Sequence, residues 1–336
     1  MPAMGERPVV YLIGTAGNPH YGDEVITASW LRYYADRLPD AEIWLDTPRP
    51  GQTSVLHGDA HLHLRCVDTL FHACWNAPSE VPDECVAFGA TVLDEPGRLA
   101  REASGLSAAL RADVVHVLGG AYINAIWPRH LALLGAAARI AERSGARTAL
   151  TGADLMPVTT AGQAAVGGVL SSFDLVDVRD AESRDMLAET VPNVTQTGDD
   201  ALLDLQRQPI DRRTRARTVV EIQSDLLDVP LQALAAQTVR LLQEWGADQD
   251  EVLLLESLPP NDVAALELLQ PHLPHITVKP FELLWREGLP LAATQRWVTT
   301  RFHSHLMAAA AGAWGVALRG SPTIAAQHRS LIDMGS

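Results

Sequence analysis

Three side chains that could bind an anion and move a proton stand together near the carboxyl end of the chain. The segment "TTRFHSHLMAAAAG" (299–312) places Arg301, His303 and Ser304 between an apolar run and an Ala-rich run. If the strand continues through residue 303, Arg301 and His303 share one of its faces and Ser304 caps the next helix. If a helix begins at residue 301, Arg301 pairs with His305, and a core histidine bonded to the backbone is a further alternative. We favour the first arrangement, an anion site beside a side chain that ordinarily titrates at about pH 6.5.

A second arginine closes an apolar strand earlier in the chain. In "DVRDAESRDML" (177–187), Arg179 follows the strand and Ser183 lies early in a helix. An arginine at a strand end can grip a carboxylate or a phosphate through paired hydrogen bonds. The alternative is a surface ion pair with Asp180 or Glu182.

Two glycine-rich turns follow predicted strands. "GTAGNPHYGDE" (14–24) resembles a phosphate cradle in position, but it lacks the spacing of a dinucleotide fingerprint or a P-loop and ends in two carboxylates. Asp23 therefore either caps the following helix or faces a cleft. "VLGGAYIN" (117–124) contains Gly119 and Gly120, which allow a ligand to approach closely or simply form a turn.

Two further polar segments carry weaker signals. "TGDDALLDL" (197–205) places Asp199 at a strand end or, as we favour, as a cap. "LHGDAHLHLRC" (56–66) contains three histidines, of which His61 and His63 would share a strand face. No cysteine or carboxylate stands at metal-ligand spacing, so we favour a polar loop or edge strand and assign no metal-binding residue.

The elements that would position these residues alternate between short β-branched runs and longer amphipathic runs. The predicted strands lie at 9–17, 42–46, 114–120, 147–154, 175–180, 218–223, 251–258, 276–281, 296–300 and 314–320. The predicted helices include 23–38, 231–246, 261–272 and 303–312. Near-continuous apolar strands that alternate with helices are typical of a parallel sheet covered on both faces.

The alternation breaks once, at the Arg-rich segment "QRQPIDRRTRAR" (206–217). We predict an N-terminal domain over 1–205, a linker over 206–217, a C-terminal domain over 218–320, and a tail over 321–336 that returns to the first domain. The fold class is α/β, with two Rossmann-like doubly wound domains facing a cleft. In such sheets ligands bind beyond the carboxyl ends of the strands.

The charge and amino-acid composition of the chain disfavour some classes of binding partner. The chain has 336 residues and a formal net charge of −15, which disfavours a nucleic-acid backbone or an anionic membrane surface. Lys279 is the only lysine, so an anion site must use arginine, histidine and backbone amides. Three cysteines without an export signal favour a cytoplasmic protein, and no run is long enough to span a membrane.

Taken in order, these segments resemble the polysaccharide pyruvyl transferase family. The family's "GN(x)GDE", "GGG", "RD..S", "GD(D/P)" and "R.H" segments are matched here at Gly17–Glu24, Gly119–Ala121, Arg179–Ser183, Gly198–Asp200 and Arg301–His303. The resemblance implies a GT-B-like arrangement, phosphoenolpyruvate as donor, and a sugar diol of a glycan or glycolipid as acceptor. A pyruvate ketal and phosphate would be the products, and no cofactor is implied.

The resemblance also implies roles for particular residues. His303 would be the catalytic acid and base. Arg179 and Arg301 would hold the donor, and Asp23 would line the site. Beyond the resemblance, we predict Ser304 and Arg319 as further donor-binding residues and Asn18, Gly22, Gly119 and Gly120 as residues that line the cleft. A lipid-linked acceptor would give the protein peripheral contact with a membrane.

The chain departs from the family at three positions. The third glycine of "GGG" is Ala121, the usual Gly-x-Pro turn reads Gly312-Ala313-Trp314, and Thr323 stands near the position of the family's lysine. Arg319 or His328 could supply the missing charge. Two alternatives follow: a GT-B glycosyltransferase that uses a nucleotide-sugar, and a non-catalytic carbohydrate-binding relative.

Overall fold

The computed structural model describes residues 7–214 and 216–336, so residues 1–6 of the predicted first domain and residue 215 of the predicted linker lie outside the described residues. The chain divides into two compact units. Unit 1 contains the residues up to Asn18 together with Asp23–Asp204, and unit 2 contains Pro19–Gly22 together with Leu205–Ser336. The sequence-based boundaries of linker and tail stay predictions.

Unit 1 is built on a seven-stranded parallel sheet in the order β3-β2-β1-β4-β5-β6-β7. The strands are β1 (Val9–Ile13), β2 (Glu42–Asp46), β3 (Leu64–Val67), β4 (Val114–Val117), β5 (Arg147–Ala153), β6 (Leu175–Val178) and β7 (Thr195–Gln196). All five residues of β1 are buried. A central strand that is covered on both faces has to be apolar throughout, which explains the run "VVYLI".

Helices connect these strands. They are α1 (Tyr21–Arg37), α2 (Pro50–His57), α3 (Thr69–Trp75), α4 (Pro82–Val92), α5 (Ala103–Ala109), α6 (Leu131–Ser144), α7 (Thr160–Leu170) and α8 (Ala181–Leu187), with short 3-10 helices at Pro96–Leu99, Pro128–His130 and Asp200–Leu202. One core cluster joins buried residues of the sheet to α3, α4 and α6. Among the described residues, none of the helices is long and apolar enough to cross a lipid bilayer.

Unit 2 repeats this topology with five parallel strands in the order β10-β9-β8-β11-β12. The strands are β8 (Thr218–Glu221), β9 (Val252–Leu255), β10 (Ile276–Lys279), β11 (Arg296–Thr299) and β12 (Trp314–Ala317). The helices are α9 (Leu231–Glu244), α10 (Leu266–Leu269), α11 (Phe281–Glu287), α12 (Phe302–Ala310) and α13 (Pro322–Asp333), with 3-10 helices at Leu205–Arg207 and Asn261–Ala265. Two such sheets confirm the predicted α/β fold of two Rossmann-like domains.

Several predicted elements end at different residues in the structure: β1 ends at Ile13, β10 at Lys279 and β12 at Ala317, each before the end of its predicted strand. The helix predicted over 261–272 is a 3-10 helix followed by the single turn of α10. The Asp262 carboxylate accepts hydrogen bonds from the backbone N–H groups of Ser257 and Leu258, at 2.9 and 2.8 Å, so it stabilises a turn at this place. The strand predicted over 296–300 ends at Thr299, and α12 begins at Phe302.

Helices α4 and α6 cross at two glycines. A Cβ atom on Gly135 would lie 2.0 Å from the carbonyl oxygen of Val86, and one on Gly89 would lie 1.9 Å from that of Ala132. The helix backbones therefore touch directly, which only the absence of a side chain permits.

Gly135→Ala tests this crossing. The added methyl group has to push the two helices apart, so we expect the free energy of unfolding to fall by about 1–3 kcal/mol. Gly168→Ala is the matched control, because Gly168 lies exposed in α7 with nothing near its Cβ position, and there alanine should add up to about 1 kcal/mol. Urea denaturation measures both. Equal stability of the two variants would contradict the close crossing.

Candidate functional site

Each sheet has one place where the strand order reverses. In unit 1 this lies between β1 and β4, and in unit 2 between β8 and β11. Ligands of doubly wound sheets bind beyond the carboxyl ends of the strands at such places. The predicted segments 14–24 and 117–124 follow the first pair, and 299–312 follows β11; within 14–24, residues 19–22 belong to unit 2 and the others to unit 1.

In unit 1, Glu24 holds the turn after β1 in shape. One of its carboxylate oxygens accepts a hydrogen bond from the backbone N–H of Gly17 at 2.7 Å, and the other lies 2.7 Å from Nε2 of His57. Gly17 has a φ of +84°, and a Cβ there would lie 2.5 Å from the Thr53 hydroxyl. Because Glu24 and His57 are both buried, this part of the motif is structural.

Asp23 lies half-buried at the same edge. Its carboxylate accepts a hydrogen bond from the Thr15 hydroxyl at 3.1 Å, and Asn18 donates to the carbonyl of Thr15 at 3.4 Å. Since α1 begins at Tyr21, Asp23 stands in the first helical turn, and its alternative role as the cap is wrong. Its carboxylate lies 3.9 Å from the Cβ position of Gly120, so it faces the turn after β4.

Asp200 clamps three elements of unit 1 together. A single carboxylate oxygen accepts hydrogen bonds from Trp30 Nε1 at 2.7 Å, from the Thr151 hydroxyl at 2.7 Å and from the Gly119 backbone N–H at 2.9 Å. Burial raises the pKa of Asp200 to about 6. Gly119 leaves no room for a Cβ beside this oxygen, and Gly120 has a φ of +127°, so both glycines serve the clamp and the turn.

Arg179 is buried, with 2% of its surface exposed. Its guanidinium lies 2.5 Å from the Asp154 carboxylate and 3.2 Å from that of Asp199. Burial alone would lower its pKa, but these carboxylates outweigh that effect and raise it. The alternative of a surface ion pair is therefore wrong. Asp199 also caps the 3-10 helix through the N–H of Ala201, as predicted for a cap.

The segment after β11 differs from the favoured prediction. The Thr299 hydroxyl accepts the backbone N–H of Arg301 at 2.9 Å, which turns the chain out of the sheet before α12. Arg301 occupies the N-cap position without a side-chain cap, and Ser304 is the third residue of the helix. The predictions that the strand reaches residue 303 and that Ser304 is the cap are both wrong, because the threonine hydroxyl captures the N–H that a longer strand would use.

Arg301 pairs with carboxylates from other segments, not with His305. Its Nη2 lies 2.5 Å from Asp262 and 2.8 Å from Asp225, and its Nε donates to Asp262 at 3.1 Å. Burial opposes the charge, but Asp262 and Asp225 raise the pKa of the guanidinium above its ordinary value. Nη1 of Arg301 donates to no described residue, so one edge of the fork is left for a further acceptor.

A buried carboxyl group lies below Arg301. Glu221 ends β8, has none of its surface exposed, and accepts a hydrogen bond from the Thr299 hydroxyl at 3.2 Å. Burial and the charge of Asp262 raise its pKa to about 7, while the hydroxyls of Ser257 and Ser304 act in the opposite direction. Ser304 is thus directed towards the sheet and not towards solvent.

His303 is the second residue of α12 and has 7% of its surface exposed. A Cβ on Gly22 would lie 2.0 Å from Nδ1 of its ring. The ring of Phe302 stands edge-on at 5.3 Å between centroids, and that of His20 does so at 6.2 Å. His303 is therefore held by the short segment Pro19–Gly22, which belongs to unit 2.

Arg319 and His328 were the two residues predicted to replace the charge of the family's lysine. Arg319 is exposed in the turn after β12, at the same carboxyl edge as Arg301, and it forms no ion pair with a described residue. His305 instead contacts His328 of α13, with 3.0 Å between the two Nδ1 atoms. Burial lowers the pKa of His328 to about 4, so this side chain supplies no positive charge at neutral pH.

Apart from Asp199, which was predicted only as a cap, the carboxylates that pair with Arg179 and Arg301 were not predicted from the sequence. The sequence did contain one indication of Glu221, because a charged residue inside the apolar strand "TVVEIQ" is unusual. Asp154 and Asp225 follow strands, Asp262 lies in the 3-10 helix Asn261–Ala265, and all three are distant in sequence from Arg179 and Arg301. His20 was present in the quoted motif, but only the fold brings it to His303.

Solved structures share this architecture at low identity. A putative UDP-N-acetylglucosamine 2-epimerase from Listeria monocytogenes aligns with a TM-score of 0.56 and 13% identity, over 96% of this chain and 82% of that one. S. aureus MnaA, solved with UDP, gives 0.52 and 13% over 94% and 80%. A UDP-GlcNAc 2-epimerase from Neisseria meningitidis gives 0.50 and 10% over 95% and 85%. The likeness is one of a two-domain α/β fold.

The family follows from a separate comparison. A family model described as polysaccharide pyruvyl transferase matches residues 20–322. This is most of the chain, so the protein belongs to the polysaccharide pyruvyl transferase family, and the resemblance seen in the sequence is confirmed. Comparison with curated proteins gives no significant match.

Asp200→Asn tests the clamp of unit 1. With its pKa raised to about 6, the folded chain keeps a proton that the unfolded chain, with an ordinary pKa of about 3.9, has already lost. Wild-type stability therefore falls between about pH 4 and pH 6, on the order of 1–3 kcal/mol, and a neutral amide escapes this loss. We expect the variant's stability relative to wild type to rise over this range, measured by urea denaturation. Asp59→Asn, an exposed carboxylate, is the control; a pH-independent difference for Asp200→Asn would contradict the clamp.

Proposed function

We propose that the protein transfers the pyruvyl group of phosphoenolpyruvate to two hydroxyls of a saccharide, giving a cyclic pyruvate ketal and phosphate. The family match over residues 20–322 carries the proposal. Support comes from unit 2, where Arg301 and His303 follow β11 at the place where the strand order reverses. The acceptor is a glycan or glycolipid, and no cofactor takes part.

Donor binding needs positive charge and N–H donors, because phosphoenolpyruvate is a multiply charged anion. The charge of Arg301 is already balanced by Asp225 and Asp262, so we assign it the directional role of offering Nη1 to a donor oxygen. Arg319 supplies the unbalanced charge in place of the family's lysine. The first-turn amides of α12 add N–H donors beside it.

His303 performs the proton chemistry in this proposal. Protonation of the methylene carbon gives an oxocarbenium-like centre, to which a sugar hydroxyl adds. A second hydroxyl then displaces phosphate and closes the ketal. The packing of His303 against Gly22 and Phe302 fixes the imidazole, so no ordering is needed at the moment of transfer.

His303→Gln should reduce phosphoenolpyruvate-dependent phosphate release by about 10²–10⁴-fold, the usual contribution of a general acid. We expect the melting temperature to stay within a few degrees, since glutamine fills most of the site. His275→Gln, at an exposed position of unit 2, is the control and should keep full activity. Turnover is followed with a panel of glycosides, and near-normal release by His303→Gln would remove this residue from the mechanism.

Arg319→Ala should raise the KM for phosphoenolpyruvate by about 10- to 100-fold, the value of a charge-assisted hydrogen bond of about 1.5–3 kcal/mol. Arg329→Ala removes an exposed arginine of α13 and should leave KM unchanged. The same proteins are examined for thermal stabilisation by phosphoenolpyruvate, UDP and GDP. Stabilisation by a nucleotide alone would favour a nucleotide-sugar glycosyltransferase and would contradict the proposal.

A further inference from the structure

Ketal formation moves two protons, and this requirement rests on the proposed function. The two acceptor hydroxyls each lose a proton when their oxygens bond to the central carbon of the donor. One proton ends on the methylene carbon, which becomes a methyl group, and the other leaves with phosphate. His303 accounts for the donation to carbon, and a second group can accept the proton of the attacking hydroxyl in the same step, so that addition is concerted with protonation of the carbon.

The segment Pro19–Gly22 brings a second imidazole to this place. It includes the first two residues of α1, Tyr21 and Gly22, and it packs with the residues of unit 2. The ring of His20 stands nearly perpendicular to that of His303, at 76° and 6.2 Å between centroids. His20 is half-buried, so part of its surface is exposed beside His303.

The backbone on either side of His20 is fixed. The Tyr21 N–H donates to the Ser257 carbonyl oxygen at 2.8 Å, and the Tyr21 side chain is 3% exposed. Burial raises the pKa of Tyr21, so the phenol is a neutral anchor. Gly22 then presses against the His303 ring without a side chain between them. The distance between the two imidazoles is therefore set by three consecutive residues.

We propose that His20 is a second catalytic residue, the base that accepts the proton of the first acceptor hydroxyl and passes it to the departing phosphate. His303 gives its proton to the methylene carbon, and neutral His20 takes the proton of the first hydroxyl as its oxygen bonds to the central carbon. His20 then returns this proton to the leaving phosphate oxygen as that C–O bond breaks. Neutral His303 takes the proton of the second hydroxyl, which restores both imidazoles.

The other ionisable groups near His303 are engaged elsewhere and do not offer a base in place of His20. Arg301 is engaged with Asp225 and Asp262, and Glu221 is fully buried below the helix. His305, the next histidine of α12, contacts His328 instead. Among the described residues of unit 2, His20 is thus the imidazole that stands beside His303.

The test compares His20→Gln and His20→Ala with wild type in the phosphate-release assay, with His275→Gln as the surface control. We expect kcat to fall by about 10²–10⁴-fold while KM for phosphoenolpyruvate changes less than about threefold, because His20 acts on the acceptor. Added imidazole should restore a large part of kcat to His20→Ala and none to His20→Gln, in which the side chain fills the space. Melting temperatures establish that each variant is folded.

Two outcomes would overturn the assignment of His20 alone. One is an active wild type whose His20→Gln variant keeps kcat within about threefold; the other is a folded, inactive His20→Ala variant that imidazole does not restore, which indicates a structural role. If wild type itself releases no phosphate from phosphoenolpyruvate with any glycoside, the proposed function fails, and the role of His20 falls with it.

Discussion

Burying a guanidinium is costly unless carboxylates are buried beside it. The carboxyl edges of both sheets contain such a buried arginine with its carboxylate partners. Arg301 draws Asp225 and Asp262 to the carboxyl edge of one sheet, and Arg179 draws Asp154 and Asp199 to the edge of the other. Removing one partner of such a buried pair leaves an uncompensated charge. The ion pairs therefore fix the positions of the segments that carry these aspartates, and the same aspartates fix the orientation of the arginine side chains.

The ion pairs of Arg301 also separate two roles in anion binding: supplying net positive charge and directing hydrogen bonds. An arginine that is already balanced by two carboxylates adds little net attraction for an anion, but its free N–H groups still impose direction. Exposed Arg319 has no such partner among the described residues. In the proposed reaction, charge and direction thus come from different residues, which is consistent with the absence of the family's lysine.

Glycines set the closest approaches in both units. Gly22 brings backbone onto the imidazole of His303, and Gly119 brings an N–H onto Asp200. In each case a side chain at that position would occupy space that the functional or structural group already fills. The motif glycines are explained by these contacts more directly than by a phosphate cradle, for which the neighbouring carboxylates Asp23 and Glu24 are unsuited.

Much of the fold was predictable because its signals are local. Apolar runs such as Val9–Ile13, and their alternation with amphipathic runs, indicate parallel strands covered by helices, and both sheets have this form. Element ends were less predictable. The strand at 296–299 stops where a threonine hydroxyl captures the N–H of Arg301, and a propensity pattern contains no such information.

The sequence by itself determined the fold class, the order of the motif segments and the family, since each depends on residue type and spacing along the chain. Tertiary structure decided which groups meet. Asp262 and Asp225 lie 39 and 76 residues from Arg301 in sequence, and His20 reaches His303 across most of the chain. Such pairs depend on how strands are ordered in a sheet and where a short segment is anchored. Those are properties of packing between distant elements, which no local pattern of residues encodes.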